Sequence, residues 1–513
     1  METTFPLKMT ASLVGAGAIH PARAWVARLL DRVVFGFLLT LIVSVSIPYG
    51  TVEVWWVAVY ECVVFALGAL WIIEGLLTGT WGLRQFRLIV PLLLIVLFAF
   101  IQTVPWRAAD AVATGLDSGM WRAISADPFE TRLLAWKLLA LVLNGMLLLR
   151  YTSNQRRVRA LIYVVIGVSV ASALFGIVRQ TLQGNAQGFF LPYLEPTSGY
   201  AQFINKNHFA LLMEMSLGLV LGLIVRGGVR RERLPFYGAA AFLMWAALVL
   251  TNSRGGIFSM LSQLLFLVTM LGFVRPTVRD STAQSVDADT KLRRALSSLA
   301  MRLVLITCLL TAVVVSIMWV GGDVLATRLQ SLPDEISAAS AETHAGVRRM
   351  EIWRATWQLI KAHPIVGNGF GGYAVAVTRY HDASGKWTPE AAHNDYLELL
   401  ASGGVIGVAL AAWFGLAFIK RAHEGLRTSD SFRRGACLGA LTGLFGVAIH
   451  SAVDFGLHVT INALVFTVLI VTATINVCNE KQTPDDLQEG TRQGAFPTNT
   501  SGRQIAASDS SRK

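Results

Sequence analysis

The sequence predicts an all-α polytopic membrane protein of about twelve transmembrane helices with one large polar loop. Three observations predict it. Of the 513 residues, 54% are hydrophobic and only 15% are charged, and the mean hydropathy is +0.54, which is too apolar for a soluble enzyme. The apolar residues fall in runs of roughly 14 to 20, which with their flanks approach the length a helix needs to cross a bilayer. The basic residues collect in alternate connections between those runs, the pattern of a chain threaded by the positive-inside rule.

Taken in order, the runs are Val33–Pro48, Val54–Ile73, Leu88–Val104, Leu133–Leu149, Ala160–Val178, Phe209–Val225, Phe236–Leu250, Ile257–Val274, Leu303–Val320, Val405–Ile419, Ala436–Ile449 and Ile461–Val477. Arg23, Arg28 and Arg32 precede the first. Arg84 and Arg87, then Arg150, Arg156, Arg157 and Arg159, then Arg226, Arg230, Arg231 and Arg233 occupy alternate connections, and Arg275 to Arg302 and Lys420 to Arg434 continue the series. Both termini are therefore expected in the cytoplasm and the polar segment 321–404 outside. The expected organisation is a cytoplasmic segment 1–32, nine spans in 33–320, the outer loop 321–404, three spans in 405–477, and a disordered cytoplasmic tail 478–513 rich in Ser, Thr, Gln, Asp and Gly. The net charge of +12 is assigned to this topology and to attraction toward anionic inner-membrane lipids, not to nucleic acid. The first span serves as its own targeting signal, since no cleavable signal peptide is evident. Cys62, Cys308, Cys437 and Cys478 lack paired spacing, so neither a disulfide framework nor a metal site is expected.

Several polar groups stand out against this background. Glu61, Lys137 and Glu214 interrupt apolar runs. Ionisable residues in lipid normally face a bundle interior or a watery cavity, so they support structural pairing or, from a different functional class, an ion, bicarbonate or small-solute transporter. Asn205-Lys206-Asn207-His208 opens the sixth span at its outer end, and Thr251 to Gly256 (TNSRGG) makes a short outer turn that holds Arg254 at the membrane surface. In the large loop, Arg348 to His363 places Arg349, Trp353, Trp357 and Ile360 at helical spacing with Arg354 and Lys361 alongside, the pattern of a helix lying on the interface. Gly367 to Gly372 (GNGFGG) lets the chain turn sharply. It is not a nucleotide loop, because no strand precedes it and no suitable helix follows. In the run His393-Asn394-Asp395-Tyr396, Asn394 or Asp395 is suited to capping a short helix, and Gly403 and Gly404 feed the chain into the next span.

The string HNDYLELLASGGVIGV, preceded by RMEIW and HPIVGNGFGGY and, upstream, by SRGG and NKNHFA, resembles the signature of the O-antigen ligase and Wzy-type polymerase superfamily over roughly Asn205 to Asp454. The resemblance implies a GT-C-like membrane glycosyltransferase that moves a glycan from undecaprenyl diphosphate to an acceptor sugar on the periplasmic side of the inner membrane, with no metal, nucleotide sugar or other cofactor. It implies His393 as the catalytic histidine, Arg254 and Arg349 as diphosphate-binding arginines, and Arg348, Arg354 and Lys206 as further substrate contacts. Asn394, Asp395 and Asp454 are expected in support, with Asp395 a candidate to orient the imidazole. The implied partners are the lipid-linked glycan donor, a glycan or lipid-core acceptor, a flippase and a chain-length regulator. The chemistry of the residues agrees. Arginine offers permanently charged, bidentate donors to a leaving diphosphate, and histidine is the side chain best suited to take a hydroxyl proton near neutral pH. Inversion at the anomeric centre is expected, and the residues leave polymerase and ligase equally open.

Overall fold

The computed structural model describes residues 21–81, 85–106, 123–152, 154–196, 199–273, 346–381 and 389–475. All of them fall in one compact unit. The expected span Leu303–Val320, the connection 275–302, the first part of the outer loop and the tail 478–513 lie outside the described residues.

The described elements are helical: α1 Pro21–Ser46, α2 Val54–Thr78, α3 Phe86–Gln102, α4 Pro128–Tyr151, α5 Gln155–Leu182, α6 Lys206–Val225, α7 Leu234–Leu250, α8 Arg254–Phe273, α9 Gly346–Ala362, α10 Tyr373–Val377, α11 Asp395–Leu426, α12 Ser431–His450 and α13 Thr460–Thr474. Among the described residues, nine helices are long and apolar enough to cross a membrane. The apolar helices α3 and α13 are shorter. Pairing with strands plays no part beyond isolated bridges such as Tyr200 with Phe203. The chain is thus an all-α polytopic membrane protein.

Polar caps punctuate the apolar helices. Asp127 accepts from Phe129 N and Glu130 N at the start of α4, Asn154 from Arg157 N at α5, Asn205 from Asn207 N at α6, and Asp430 from Arg433 N at α12. Each satisfies backbone donors that a helix leaves unbonded in its first turn.

The centre of the bundle is the α6–α12 pair. Gly218 and Gly222 lie directly against Gly439 and Gly443, so close that a Cβ on Gly222 would collide with the backbone of Gly439. Spacings of small residues four apart let two backbones meet in this way. Glu214 lies one turn before Gly218, and His450 lies one turn after Gly446, so the glycine register brings Glu214 and His450 side by side. Gln263 of α8 joins the pair by donating to Glu214 O and Gly443 O.

Outside the bundle, α9, α10 and the start of α11 share a small core of Ala355, Leu359, Ile360, Tyr373, Ala376, Val377, Ala392 and Ala401. Arg349, Trp353, Trp357 and Ile360 do not form one interfacial face as expected. Positions four apart drift by about 40° per step on a 3.6-residue helix. Trp353 consequently turns inward to give its indole N–H to Ala392 O at 3.0 Å, whereas Trp357 is exposed beside Lys361.

Helix α11 is two helices joined at Gly404, whose backbone (φ 59°, ψ −162°) is non-helical. The freed N–H groups of Val405 and Ile406 donate to Pro364 O and Ile365 O at 2.9 and 3.2 Å, which keeps the broken backbone satisfied. The GNGFGG turn packs into that break: Asn368 N and Gly369 N donate to Ala401 O and Ser402 O, each at 3.0 Å. Gln102 at the end of α3 completes the joint, donating to Val366 O and Ser402 O and accepting from Phe370 N.

Candidate functional site

The run that begins α11 is attached to the turn that follows α12. Asn394 caps α11 by accepting from Tyr396 N and Leu397 N at 3.0 Å each, while its Nδ2 donates to Ala452 O at 2.9 Å. Asp395 N donates to Ser451 O at 2.8 Å. These bonds bring His393 to the turn carrying Asp454, with His393 Nδ1 at 3.6 Å from Asp454 Oδ1. The imidazole is 28% exposed and the carboxylate 2%, so the ring reaches outward from a buried anion. The separation exceeds a hydrogen bond but lies within direct electrostatic reach, and such contacts tighten when substrate binds. His393 has φ of +50°, a left-handed backbone that costs a non-glycine residue roughly 1–3 kcal/mol.

Asp454 Oδ1 also accepts from Phe455 N at 2.9 Å. Burial alone would raise the Asp454 carboxyl, but the facing His393 and His450 imidazoles, with His208 beyond them, hold it well below the usual carboxylate range. The Phe455 ring is the hub of this cluster, with the imidazoles of His208, His393 and His458 packed edge-on at 5.0, 4.8 and 5.6 Å.

Asp395 does not orient His393. Its side chain turns to His458, whose Nε2 lies 3.9 Å from Asp395 Oδ1 and 3.3 Å from Glu398 Oε1. Neighbouring residues at a helix start project in different directions, and the partner of His393 comes instead from a turn 61 positions further along the chain, 454 − 393. Lys137 reaches the same neighbourhood from α4 by donating to His458 O at 2.7 Å, and it interacts electrostatically with Glu61. It serves the bundle's packing rather than standing alone in lipid.

The expected cations are placed at different points around the chain. Arg254 is the first residue of α8 and exposed, and the next residue, Gly255, lies against Val453 and the His450 ring, which places Arg254 beside the Asp454 turn. Arg349 is half-buried on α9, one turn before the Trp353 whose indole bonds Ala392 O, immediately before His393. Arg354 is exposed, five positions on from Arg349 and so on another face of α9. Arg348 lies in the helix, and its side chain is outside the described residues. Lys206 starts α6 and lines a polar cavity of about 230 Å³ together with Arg179, Gln183, Tyr200, Thr251 and Asn252. Arg179 is committed there to Gln183 Oε1, Ala201 O and Glu195 O, each at 2.6 Å.

Sequence reasoning missed His450, and the structural pairing it offered for Glu214 is with that residue. His450 Nδ1 lies 2.7 Å from Glu214 Oε1 inside the bundle, and Glu214 Oε2 accepts from Ser259 Oγ at 2.5 Å. The signal that finds them is the glycine spacing: Gly218-x-x-x-Gly222 beside Gly435, Gly439, Gly443 and Gly446.

Residues 239–412 match the family model Wzy_C, described as O-Antigen ligase. No curated protein matches the chain. The matched segment contains Arg254, the outer helix α9, the GNGFGG turn, His393 and the α11 break, whereas Glu214, His450 and Asp454 lie to either side of it and are joined to it by the fold. Residues 239–412 thus form an O-antigen ligase domain within a multi-pass membrane protein, and that domain supports a glycan-processing role in O-antigen assembly.

Proposed function

We propose that this protein transfers a glycan from undecaprenyl diphosphate to an acceptor hydroxyl at the periplasmic face of the inner membrane, with His393 as general base. The observation that carries this reading is the pairing of a partly exposed His393 with a buried Asp454 at 3.6 Å. A carboxylate facing Nδ1 favours the tautomer that keeps the proton there and leaves Nε2 free to accept one. As the acceptor oxygen bonds to the anomeric carbon, its proton passes to His393 Nε2. The bond from that carbon to the diphosphate oxygen breaks, and its electron pair leaves with the diphosphate. Attack opposite the leaving group inverts the anomeric centre.

The leaving diphosphate is anionic throughout and gains charge as the bond breaks, which is the role proposed for Arg254 and Arg349. Lys206, next to the cavity, and Arg348 and Arg354 on α9 supply additional positive charge on the same side. Guanidinium groups carry the charge that a metal carries in other transferases, so turnover is expected to survive EDTA without Mg²⁺. The acceptor is either the growing end of a second repeat or a lipid core. A chromosomal deletion decides between them: accumulation of single repeat units on the carrier identifies a polymerase, and of finished carrier-linked polymer a ligase.

His393→Ala tests the chemistry directly. The variant is expected to insert, fold and bind lipid-linked donor normally while transfer falls by roughly 10²- to 10⁴-fold. Near-normal transfer by well-folded His393→Ala protein overturns the general-base assignment.

A further inference from the structure

His450 lies between two carboxylates that reach it from different parts of the chain. Its Nδ1 is 2.7 Å from Glu214 Oε1, and its Nε2 is 3.9 Å from Asp454 Oδ2. The Nε2 contact is longer than a hydrogen bond and acts through charge, so the Nδ1 contact alone is a hydrogen bond. On the far side, Ser259 Oγ lies 2.5 Å from Glu214 Oε2 and 2.8 Å from Gly446 O. A hydroxyl has one proton to give. If Ser259 gives it to Gly446, a proton must sit on Glu214 Oε2 to complete the other bond; if Ser259 gives it to Glu214, Oε2 carries no proton and the one between Glu214 Oε1 and His450 Nδ1 is able to rest on the imidazole, leaving the carboxylate ionised. Both arrangements leave the Glu214–His450 pair neutral as a whole and differ only in where one proton resides.

We propose that Glu214 and His450 are positioning residues that set the charge and orientation of Asp454, and through it the tautomer and basicity of His393. The inference rests on the general-base reading of His393. With the proton on His450, Asp454 faces an imidazolium from behind and its pull on His393 is moderated. With the proton on Glu214, Asp454 acts on His393 at full strength. The step from the first to the second arrangement is a proton transfer from His450 Nδ1 to Glu214 Oε1 or its equivalent through carboxyl rotation, and no other reactant is needed. It increases the negative field at His393 as that ring accepts the acceptor's proton.

The remaining charged groups around His450 are accounted for. From α6 come Glu214 and His208, the latter packed on Phe455. From the turn comes Asp454. His393 stands before α11, and His458 is engaged with Glu398 and Asp395 of α11. From α8 come the neutral Ser259 and Gln263 and the Gly255 backbone, with Arg254 at the helix start. A buried ion pair adds little net stability over well-packed neutral groups of the same shape, so isosteric neutral variants separate a role in the site from a role in folding.

The test compares Glu214→Gln and His450→Gln with wild type and His393→Ala, using full-length purified protein, a lipid-linked glycan donor and thermal unfolding as the folding control. Either glutamine variant leaves Asp454 without an imidazolium behind it. The acid limb of the kcat–pH profile is therefore expected to move to higher pH by about half a unit or more, so that transfer falls at pH values below the limb while the plateau kcat above it and the donor KM stay within about twofold of wild type. The double variant is expected to be no slower than the slower single one, because the pair acts as a unit. If both single variants fail to fold, Ser259→Ala, which removes the shared hydroxyl proton, is expected to shift the same limb. An unmoved acid limb in the folded glutamine variants, or in Ser259→Ala when those do not fold, overturns the proposal. Transfer by His393→Ala overturns the underlying reading instead, so the two failures are distinct.

Discussion

His393 combines three properties that are separable by mutation: a left-handed backbone, partial exposure and a buried anion behind it. Asp454→Asn is expected to lower transfer by roughly 10²-fold or more, since the amide no longer favours one imidazole tautomer. The same variant has a signature in stability. The folded Asp454 carboxyl lies below its unfolded value near about 4, so its stabilisation is fully present above that pH and is lost as pH falls toward the folded value. Wild type is thus expected to unfold at a higher temperature than Asp454→Asn at neutral pH, with the gap closing below about pH 4. Equal gaps at neutral and acid pH would show that Asp454 is not held ionised by its neighbours. For Arg254 and Arg349, lysine keeps the charge and loses the planar fork. Each Lys variant is expected to lose activity nearly as severely as the Ala variant, by roughly 10- to 100-fold, with weakened donor binding in both. Unchanged donor affinity in Arg254→Ala and Arg349→Ala would remove the arginines from the diphosphate site.

At the scale of elements, the site depends on joints between helices. Gly404 breaks α11, and a side chain there would meet the Ile365 carbonyl in a left-handed conformation. Gly404→Ala is expected to destabilise the protein by more than about 1 kcal/mol and to loosen the outer segment, measured as a lower unfolding temperature and faster proteolysis near Pro364. A wild-type melting temperature would show that the joint tolerates a side chain. The Asn394 cap and the glycine turn were legible in sequence, because capping and sharp turning are local properties of a few residues. The inward turn of Trp353 was not, since it depends on a core assembled from α9, α10 and α11.

At the scale of the molecule, the helices reverse direction at short connections, so Lys206, Arg254, His393, Asp454 and His450 share one end of the bundle, while Arg150, Arg157 and Arg231 share the other. In a cysteine-free background, Thr378→Cys is expected to react with an impermeant thiol reagent in intact spheroplasts, and Arg231→Cys only after lysis. The reverse pattern would place the site on the cytoplasmic side. Sequence by itself determined the helical membrane class and offered a candidate histidine and arginines, because apolar length, basic bias and local motifs are written along the chain. It named Asp454 among the supporting residues but offered Asp395, not Asp454, as the group that orients His393. Asp395 was the neighbour in sequence, yet Asp454 is the neighbour in space. The Glu214–His450 pair behind it likewise joins positions 236 residues apart. That arrangement was decided only by tertiary structure. The glycine faces of α6 and α12 allow their backbones to meet, and their register sets which polar side chains are buried together, with no single stretch of sequence containing both partners.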